Sequence, residues 1–384
     1  AAALQVYEQG KHPLTAMFGR DETLNGAGYA IYCCFEVPEK RDVHIVKGVF
    51  PAEGTLSYES LTHAIPAAAW YEREIHDMFG LVPEGHPDLR PLVLHESFPE
   101  DFHPLRKSVA VNAKVRGERK FKIRTAKGQG LFQVPVGPIH AGIIEPGHFR
   151  FSQAGEAMLQ LDAKLFFTHR GIEKAVEGKT PEEALHIVER ICGACSVANT
   201  WSFCQAVEKA AGVAVPRRAE IIRTLLSELE RITNHVGDLG NMPAGVGFNP
   251  AISLGSRLKE QLMRLCEAVA GNRFLRGVIV PGGVRQDITP ELIEHIHEVM
   301  DATAQGVEDL AAMFREQENF QNRVRTTGII RNQTAKDLAM VGVGARASGY
   351  AHDSRKDFTY GVYPELGFEP YTMTMGDVAA RLLV

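Results

Sequence analysis

The chain has 384 residues, of which 45% are hydrophobic and 23% charged, and its formal net charge is -5 at pH 7. This length allows a large buried core and predicts two domains in a soluble, globular protein. The negative charge argues against nucleic acid as the main partner, because binding phosphates calls for a basic surface, and the lack of any run of about eighteen apolar residues predicts no membrane-spanning helix.

The first third has the pattern of a small α+β unit. Residues 29–37 and 43–50 are rich in β-branched and aromatic side chains, so we expect two strands joined into a hairpin by the turn at residues 38–42. Cys33 and Cys34 are adjacent in the first strand and point to opposite faces. They cannot jointly hold a metal and are assigned to packing.

A helix is predicted at residues 67–79, and the prolines between residues 86 and 107 predict an extended, loop-rich path after it. Nine basic residues and one acidic residue follow between Arg106 and Lys127. Such a run is either a solvated linker or an arm lying on an acidic neighbouring subunit. We place a domain boundary here, near residue 125.

After about Leu131 the apolar spacing changes to the three- and four-residue pattern of long helices. The predicted helices are at residues 181–188, 201–211, 217–239, 256–269 and 290–314, which makes the second domain mainly helical. The apolar face predicted for the third of these helices consists of Ile221, Leu225, Leu229, Ile232 and Val236. Cys204 and Cys266 fall within predicted helices and are assigned to the core.

Two cysteines three residues apart, Cys192 and Cys195, form the most informative motif of the chain. A C-x-x-C pair can converge on one metal centre, form a redox disulfide, or supply half of a zinc site. A zinc site needs a second ligand pair, and the sequence contains no further C-x-x-C and no H-x-x-x-H, so zinc is disfavoured. Six cysteines are too few for a disulfide scaffold in a chain of this length, which favours a reducing compartment.

Both ends of the sequence predict a longer polypeptide. The chain begins at Ala1 without an initiator methionine. Residues 379–384 form an apolar, helix-like run without a glycine or proline stop signal. We therefore expect the chain to be a fragment.

Several separated motifs resemble the large subunit of membrane-bound nickel-iron hydrogenases, which are relatives of the catalytic core of respiratory NADH:quinone oxidoreductase. These motifs are residues 137–150, 169–174, 189–195 and 206–209. Motifs of the first domain resemble the 30 kDa subunit of that oxidoreductase, at residues 70–74, 77–80, 86–90 and 104–107. The order, a 30 kDa-like domain fused to a 49 kDa-like domain, resembles the fused large subunit of formate hydrogenlyase and covers nearly the whole chain.

The resemblance implies an α+β domain like the 30 kDa subunit over residues 1–125, followed by a mainly α-helical domain like the nickel-iron hydrogenase large subunit over residues 126–384. It implies a nickel-iron centre whose iron carries diatomic ligands, with Cys192 and Cys195 as nickel ligands and Cys195 also bridging to iron. Soft thiolates suit these metals, and metal binding keeps sulfur deprotonated. A family site has four thiolates, and the second C-x-x-C that supplies the other two is absent from these 384 residues.

The same resemblance implies further site residues. Glu145 stands where the family has a glutamate that passes protons to and from a nickel-bound thiolate, and the alternative is a surface glutamate before a proline turn. Asn199 replaces the family's usual histidine near the bridging thiolate, and its amide can donate a hydrogen bond but cannot titrate near neutral pH. His140 and His148 are cofactor-binding candidates. Quinone-reducing relatives bind a headgroup at the position of His140, but an anchoring role in its loop is preferred.

Arg346 is the second catalytic candidate, in a segment with Asp353 and Arg355. Hydrogenases place an arginine around the diatomic ligands of the iron, and a structural salt-bridge network explains the same residues equally well. His169 and Arg170 are assigned to the structure or to the face that meets the iron-sulfur partner.

Two functions follow from these observations. In the first, the chain is the catalytic large subunit of a hydrogenase complex that interconverts hydrogen with protons and electrons, and the electrons leave through iron-sulfur clusters in a separate small subunit. Membrane-arm subunits and a cytoplasmic location, peripheral on the inner face of the cell membrane, belong to this function. In the second, the chain is a metal-free 30/49 kDa-like subunit with a quinone-binding or coupling role. The cysteine pair favours the first, while Asn199 and the missing second pair favour the second; a scaffold with an accidental C-x-x-C is a third alternative.

Overall fold

The computed structural model describes residues 1–54, 56–119, 123–140 and 146–384. Contacts divide the chain into two compact units: unit 1 comprises Ala1–Ala175 with Asp337–Ala339, and unit 2 comprises Val176–Lys336 with Met340–Val384. Each unit has a hydrophobic core of its own. The boundary near residue 125 between the two family-like domains stays a prediction.

A three-stranded antiparallel sheet forms the centre of unit 1. After helix α1 (Ala2–Gly10), its strands are β1 (Leu14–Asp21), β2 (Tyr29–Val37) and β3 (Asp42–Phe50), with β2 in the middle. The predicted hairpin is confirmed as β2 and β3, which pair along their whole length. Cys33 is buried in the core of unit 1, as predicted.

Unit 1 continues with short elements and a second sheet. In chain order these are β4 (Ser57–Glu59), α2 (Ala68–Phe79), β5 (Val82–Glu84), β6 (Phe132–Val136), β7 (His148–Ala154), β8 (Ala157–Lys164) and α3 (Ile172–Ala175). Strand β4 pairs in parallel with β5. The helix predicted at residues 67–79 is confirmed as α2.

Two buried carboxylates of α2 fasten the loops around it. Glu72, with 0% of its surface exposed, accepts three hydrogen bonds of 2.6, 2.7 and 2.6 Å from residues 60–62. Asp77 accepts the backbone N–H groups of residues 92–94 at 2.8, 2.8 and 3.1 Å and pairs with Arg119 at 3.3 Å. A buried carboxylate is costly unless its oxygens are satisfied, so these acids fix the paths of both loops. Their role in this unit is structural.

The second sheet of unit 1 shows that one prediction is wrong. Helices are expected after about residue 131, but residues 132–164 contain the antiparallel sheet β6-β7-β8. The side chains of β7 alternate: Phe149 and Phe151 share one face, and Arg150 and Ser152 share the other. Ser152 is buried, so it is the polar face that is covered. The usual pattern of apolar residues facing inward is therefore missing from this stretch.

Unit 2 is mainly helical, as predicted. Its helices are α4 (Pro181–Val188), α5 (Ser196–Ala211), α6 (Arg217–Asn241), α7 (Asn249–Ala270), α8 (Pro290–Glu316), α9 (Glu318–Val324), α10 (Asn332–Asp337), α11 (Gly342–Ala347), α12 (Ser354–Asp357), α13 (Tyr363–Leu366) and α14 (Val378–Leu383). A ribbon of β9 (Ile279–Val280) and β10 (Gly283–Val284) follows α7 in the chain. Each predicted helix is confirmed, although α5 and α7 begin earlier than expected.

The buried face of α6 differs from the predicted one. Leu229 and Val236 are buried as predicted, and two other predicted positions are half-buried, but Ile221 is 42% exposed. Ile222 and Leu226 are buried in its place. The prediction is wrong at these positions because it used only the spacing of apolar residues. It took no account of a charged residue of the same helix that is also buried.

That charge is Arg223, whose side chain lies in the core of unit 2. Its guanidinium binds Glu208 of α5 through two hydrogen bonds of 2.6 and 3.1 Å. It also donates to the backbone carbonyls of Val280 and Gly283, at 2.7 and 3.0 Å. A buried arginine is tolerated only when its donors are paired, and this pairing turns the Arg223 side of α6 inward.

Helices α6 and α7 make their closest approach at two glycines. A Cβ atom added to Gly255 would lie 2.2 Å from the Cα of Gly240, a distance that real atoms do not adopt. The two helices can pack this closely only because glycine has no side chain at either position. None of the helices in the described ranges combines the length and the apolar character needed to cross a bilayer.

Cys204 and Cys266 lie in the core of unit 2, as predicted. Cys204 in α5 and Cys266 in α7 are both buried in the hydrophobic core of this unit. Burial raises the pKa of the Cys204 thiol to about 12 and raises the pKa of Cys266 as well. Both thiols are therefore protonated at neutral pH, as expected for packing residues.

Candidate metal centre

The turn that carries Cys192 and Cys195 connects α4 to α5. Helix α4 begins with a capping box formed by Thr180 and Glu183, and Cys195 is the N-cap of α5. The structure joins the two sulfurs as a disulfide, with the Cα atoms 5.4 Å apart, and both residues are half-buried. The two sulfurs thus converge on one accessible point.

Helix α6 holds this turn through two polar side chains. The carboxylate of Glu230 accepts the N–H groups of Val197 and Ala198 at 2.7 and 3.1 Å. The amide nitrogen of Asn234 donates to the carbonyl of Ala194 at 2.7 Å. Burial raises the pKa of the Glu230 carboxyl, and the two N–H groups oppose that shift because they bind its ionised form. One helix therefore contacts the backbone between the cysteines and directly after them.

A second segment, just before β9, fixes the flanks of the turn. The buried carboxylate of Glu189 accepts the N–H of Gly277 at 2.5 Å. The guanidinium of Arg276 donates to the hydroxyl of Ser196 at 3.1 Å. The residues on both sides of the C-x-x-C are consequently anchored by protein contacts.

Asn199 lies one helical turn after Cys195. Its amide nitrogen donates to the carbonyl of Cys195 at 2.8 Å and lies 3.6 Å from the Cys195 sulfur. A neutral donor therefore points toward the second sulfur of the pair. The part that Asn199 plays in cofactor binding stays a prediction.

Arg346 belongs to an ion-pair network. Its guanidinium lies 3.4 Å from the carboxylate of Asp353, which Arg355 contacts at 2.7 and 2.9 Å. Arg355 also reaches Glu228 of α6 at 3.3 Å, and the Tyr363 hydroxyl donates to Glu228 at 2.6 Å. Burial disfavours the ionised form of Asp353, but the hydrogen bonds from Arg355 outweigh it and hold the pKa below its ordinary value. Arg346 thus takes part in a salt-bridge network, which is one of its two interpretations from the sequence. The catalytic role of Arg346 stays a prediction.

The two histidine candidates lie in unit 1 and close their own loop. A ring nitrogen of His140 lies 2.7 Å from the carbonyl of Gly147, and one of His148 lies 3.2 Å from the carbonyl of Gly137. These reciprocal contacts match the loop-anchoring interpretation of His140. Glu145 lies outside the described residues. The roles of these three residues in cofactor binding or catalysis stay predictions.

His148 also lines a cavity of unit 1 with a volume of about 230 Å³. The charged side chains in its wall are Glu96, Arg150, Asp162 and Lys164. Lys164 pairs with Glu96, and Asp162 is paired with Arg90 at 3.3 Å. The wall therefore combines charged side chains with the apolar Pro138 and Phe167, and much of its charge is compensated within the unit.

Sequence reasoning missed the residues that hold the cysteine turn. Glu230 and Asn234 are separated from their partners Val197 and Ala194 by 33 and 40 residues. Both are polar residues of an amphipathic helix, a pattern that predicts only a solvated face. The one available signal was their spacing of four, which places both on one side of α6.

Three protein-family models match separate parts of the chain. They are the respiratory-chain NADH dehydrogenase 30 Kd subunit at residues 2–115, the nickel-dependent hydrogenase at residues 170–238, and the respiratory-chain NADH dehydrogenase 49 Kd subunit at residues 246–384. The nickel-dependent hydrogenase match contains both cysteines of the turn and the two side chains of α6 that hold it.

Complete proteins share this combination. Hydrogenase-4 component G of Escherichia coli (strain K12) is 34% identical over 99% of this chain and 66% of its own length. Formate hydrogenlyase subunit 5 of the same organism is 33% identical over 98% of this chain and 67% of its own length. This chain belongs to their family. The family unites 30 kDa-like and 49 kDa-like regions, related to complex I, in one polypeptide.

The family extends to proteins named for another reaction. An NADH-quinone oxidoreductase subunit of Bacteroides thetaiotaomicron is 30% identical over 83% of this chain and 63% of its own length. The chain spans about two thirds of the length of these curated relatives. Their names are those of components and subunits of larger oxidoreductase assemblies.

The network around Asp353 allows a prediction about stability and pH. The folded-state pKa of Asp353 lies below its ordinary value of about 3.9, so its stabilising effect is fully present above that value and is lost as the pH falls through the lower folded-state pKa. We expect Asp353→Asn to lower the free energy of unfolding by about 2 kcal/mol at pH 7, and by much less near pH 3.

Urea unfolding, followed by the fluorescence of Trp201 in a Trp70→Phe background, measures this difference. Trp201 reports on unit 2 because it packs against Tyr360 in the same core. Asp301→Asn, at an exposed position of α8, is the control. An equal loss at both pH values would show that the charge of Asp353 does not stabilise the unit.

Proposed function

We propose that this chain is the part of a hydrogenase large subunit that supplies two thiolates to a nickel-iron centre, where hydrogen is interconverted with protons and electrons. The observation that carries the proposal is the convergence of the Cys192 and Cys195 sulfurs on one half-buried point, within the region that matches nickel-dependent hydrogenases. The same convergence would also serve a redox disulfide. The hydrogenase relatives favour the metal.

The donor set fits half of such a centre. Nickel and iron accept soft thiolate ligands, and once a thiol reductant has converted the disulfide to two thiolates, the neighbouring sulfurs would need little rearrangement to bind one metal. In this proposal Cys192 and Cys195 bind nickel, and Cys195 also faces iron with its diatomic ligands. When bound, the centre supplies the redox chemistry of hydrogen.

The remaining chemistry is assigned to other side chains of this sequence. Asn199 donates a hydrogen bond toward the Cys195 sulfur and, being an amide, leaves proton transfer to another group. We assign that transfer to Glu145, and we place Arg346 beside the diatomic ligands. His140 and His148, the two cofactor-binding candidates, contact the backbone carbonyls of Gly147 and Gly137.

A centre with four thiolates needs two more, and the other cysteines of this chain do not supply them. Cys204 and Cys266 are buried in helices with raised thiol pKa values. Cys33 and Cys34 point to opposite faces of β2 in unit 1. In this proposal the missing thiolates lie outside these 384 residues. Electrons pass to a small subunit that carries iron-sulfur clusters, and membrane-arm subunits hold the assembly at the inner face of the cell membrane.

A second function is supported by different observations. The 49 kDa match and the NADH-quinone oxidoreductase relative favour a metal-free subunit with a quinone-binding or coupling role. Asn199 in place of the family's histidine agrees with it. The cavity lined by His148, with both charged and apolar residues in its wall, would then be the part of unit 1 that a quinone headgroup could contact.

The proposal predicts nickel in the assembled complex. Elemental analysis of the complex, purified through a tag on this subunit, is expected to find nickel in the unmodified protein and in Cys34→Ser, and none in Cys195→Ser. Cys34 is a suitable control because it is a half-buried cysteine of unit 1. A nickel-free unmodified complex would contradict the proposal and favour the second function.

The proton role of Glu145 has a separate test. Glu145→Gln keeps the size of the side chain and removes its ability to carry a proton. We expect hydrogen turnover by the complex to fall by about 10²–10⁴-fold while the nickel content stays unchanged, because positioned acid-base groups contribute that range. Full turnover in the variant would remove the proton role from Glu145.

A further inference from the structure

Each cysteine of the turn has a backbone neighbour that is held by α6. Asn234 binds the carbonyl of Ala194, whose own N–H lies 3.4 Å from the Cys192 sulfur. Glu230 binds the N–H groups of the first residues of α5, directly after Cys195. Two side chains one helical turn apart thus contact the turn at two separate points.

We propose that Glu230 and Asn234 are positioning residues, which hold the Cys192 and Cys195 sulfurs at one point before a metal arrives. The identity of the metal rests on the proposed function. The positioning itself rests on the contacts of α6 with the turn.

Glu230 acts at the N-terminus of α5. The first N–H groups of a helix have no partner within the helix, and the side chain of the N-cap residue usually accepts one of them. The N-cap here is Cys195, whose side chain makes no capping hydrogen bond. Glu230 takes over this function by binding the N–H groups of Val197 and Ala198. The sulfur of Cys195 is left to turn toward Cys192.

This arrangement requires a carboxylate. Each oxygen of Glu230 accepts one N–H group, at 2.7 and 3.1 Å. A glutamine of the same size has one oxygen, and its NH₂ group would face the other N–H as a second donor. Glu230→Gln is therefore expected to release one of the two contacts without changing the volume of the side chain.

Position 234 requires an amide, because here the side chain has to donate hydrogen bonds rather than accept them. Its nitrogen faces two acceptors, the carbonyls of Ala194 at 2.7 Å and of Glu230 at 2.9 Å. An aspartate would place an oxygen against both carbonyls and break the contact with Ala194. The two variants thus reverse the chemistry at each point and keep the shape.

Residues that orient metal ligands affect metal affinity, typically by about 10–100-fold when they are replaced. The probe is Co²⁺, added to the reduced chain of 384 residues, because its bond to thiolate gives a charge-transfer absorption that reports ligation directly. We expect Glu230→Gln and Asn234→Asp to weaken Co²⁺ binding by about 10–100-fold. Far-ultraviolet circular dichroism and the thermal midpoint confirm that each variant is folded.

Matched controls come from the same helix. Glu220→Gln and Asn241→Asp make the same chemical changes at the two ends of α6, where Glu220 pairs with Arg217 and Asn241 is exposed. Both are expected to bind Co²⁺ like the unmodified chain. If a main variant does not fold, Asn234→Ala, which removes the amide donor without adding charge, replaces it.

A second measurement separates this inference from the proposed function. In a glutathione redox buffer, the Cys192 and Cys195 thiols are oxidised to their disulfide while one glutathione disulfide is reduced to two glutathiones. Loosening the turn is expected to lower the equilibrium constant for disulfide formation by about tenfold, or about 30 mV for this two-electron couple. If the unmodified chain shows no Co²⁺ band, the metal function fails and this equilibrium alone decides the positioning role.

The outcomes are distinct. Weaker Co²⁺ binding or a shifted disulfide equilibrium in folded Glu230→Gln and Asn234→Asp, with unchanged controls, supports positioning by α6. Folded variants that match the unmodified chain in both measurements would overturn it.

Discussion

The candidate centre depends on the hydrogen bonds that the carboxylate of Glu230 accepts from the N–H groups at the start of α5. They connect two helices and fix the backbone directly after Cys195. The same α6 binds the C-terminal segment through Glu228 and the core through Arg223. Because one 25-residue helix makes all of these contacts, the geometry of the cysteine turn is coupled to the packing of unit 2.

Carboxylates that accept backbone N–H groups occur in both units. In unit 1, Glu72 and Asp77 accept hydrogen bonds from loop hydroxyl and N–H groups and fix the paths of those loops. In unit 2, Glu230 also binds backbone N–H groups, but its partners adjoin a reactive pair of sulfurs. The carboxylate plays the same chemical part in both units. The difference is that the backbone bound by Glu230 adjoins the two cysteines, whereas the backbone bound by Glu72 and Asp77 belongs to loops.

Much of the fold follows from local patterns, and the exceptions have physical causes. The β2-β3 hairpin and α4 appear at the predicted residues because their side chains and turn signals agree. Helix α5 begins at Ser196 rather than near residue 201, since its polar first turn is stabilised by Glu230 from a distant part of the sequence. The sheet at residues 132–164 was missed because its covered face is polar.

The candidate site divides in the same way. Spacing in the sequence is enough to find Cys192 and Cys195, because residues three apart on a turn can converge. It cannot find Asn234 or Glu230, whose contacts depend on how α6 packs against α5. The metal and the proton donor are predictions from the family resemblance, whereas the contacts between α6 and the cysteine turn are seen in the geometry of this chain.

The most direct test is amide hydrogen exchange at Val197 and Ala198 in the reduced, metal-free chain of 384 residues. If α6 holds the turn by itself, both amides are protected in the unmodified chain and lose that protection in Glu230→Gln, while Glu220→Gln leaves it unchanged. Exchange at the rate of an unstructured peptide in the unmodified chain would contradict the account, because the turn would then take its shape only when a metal binds.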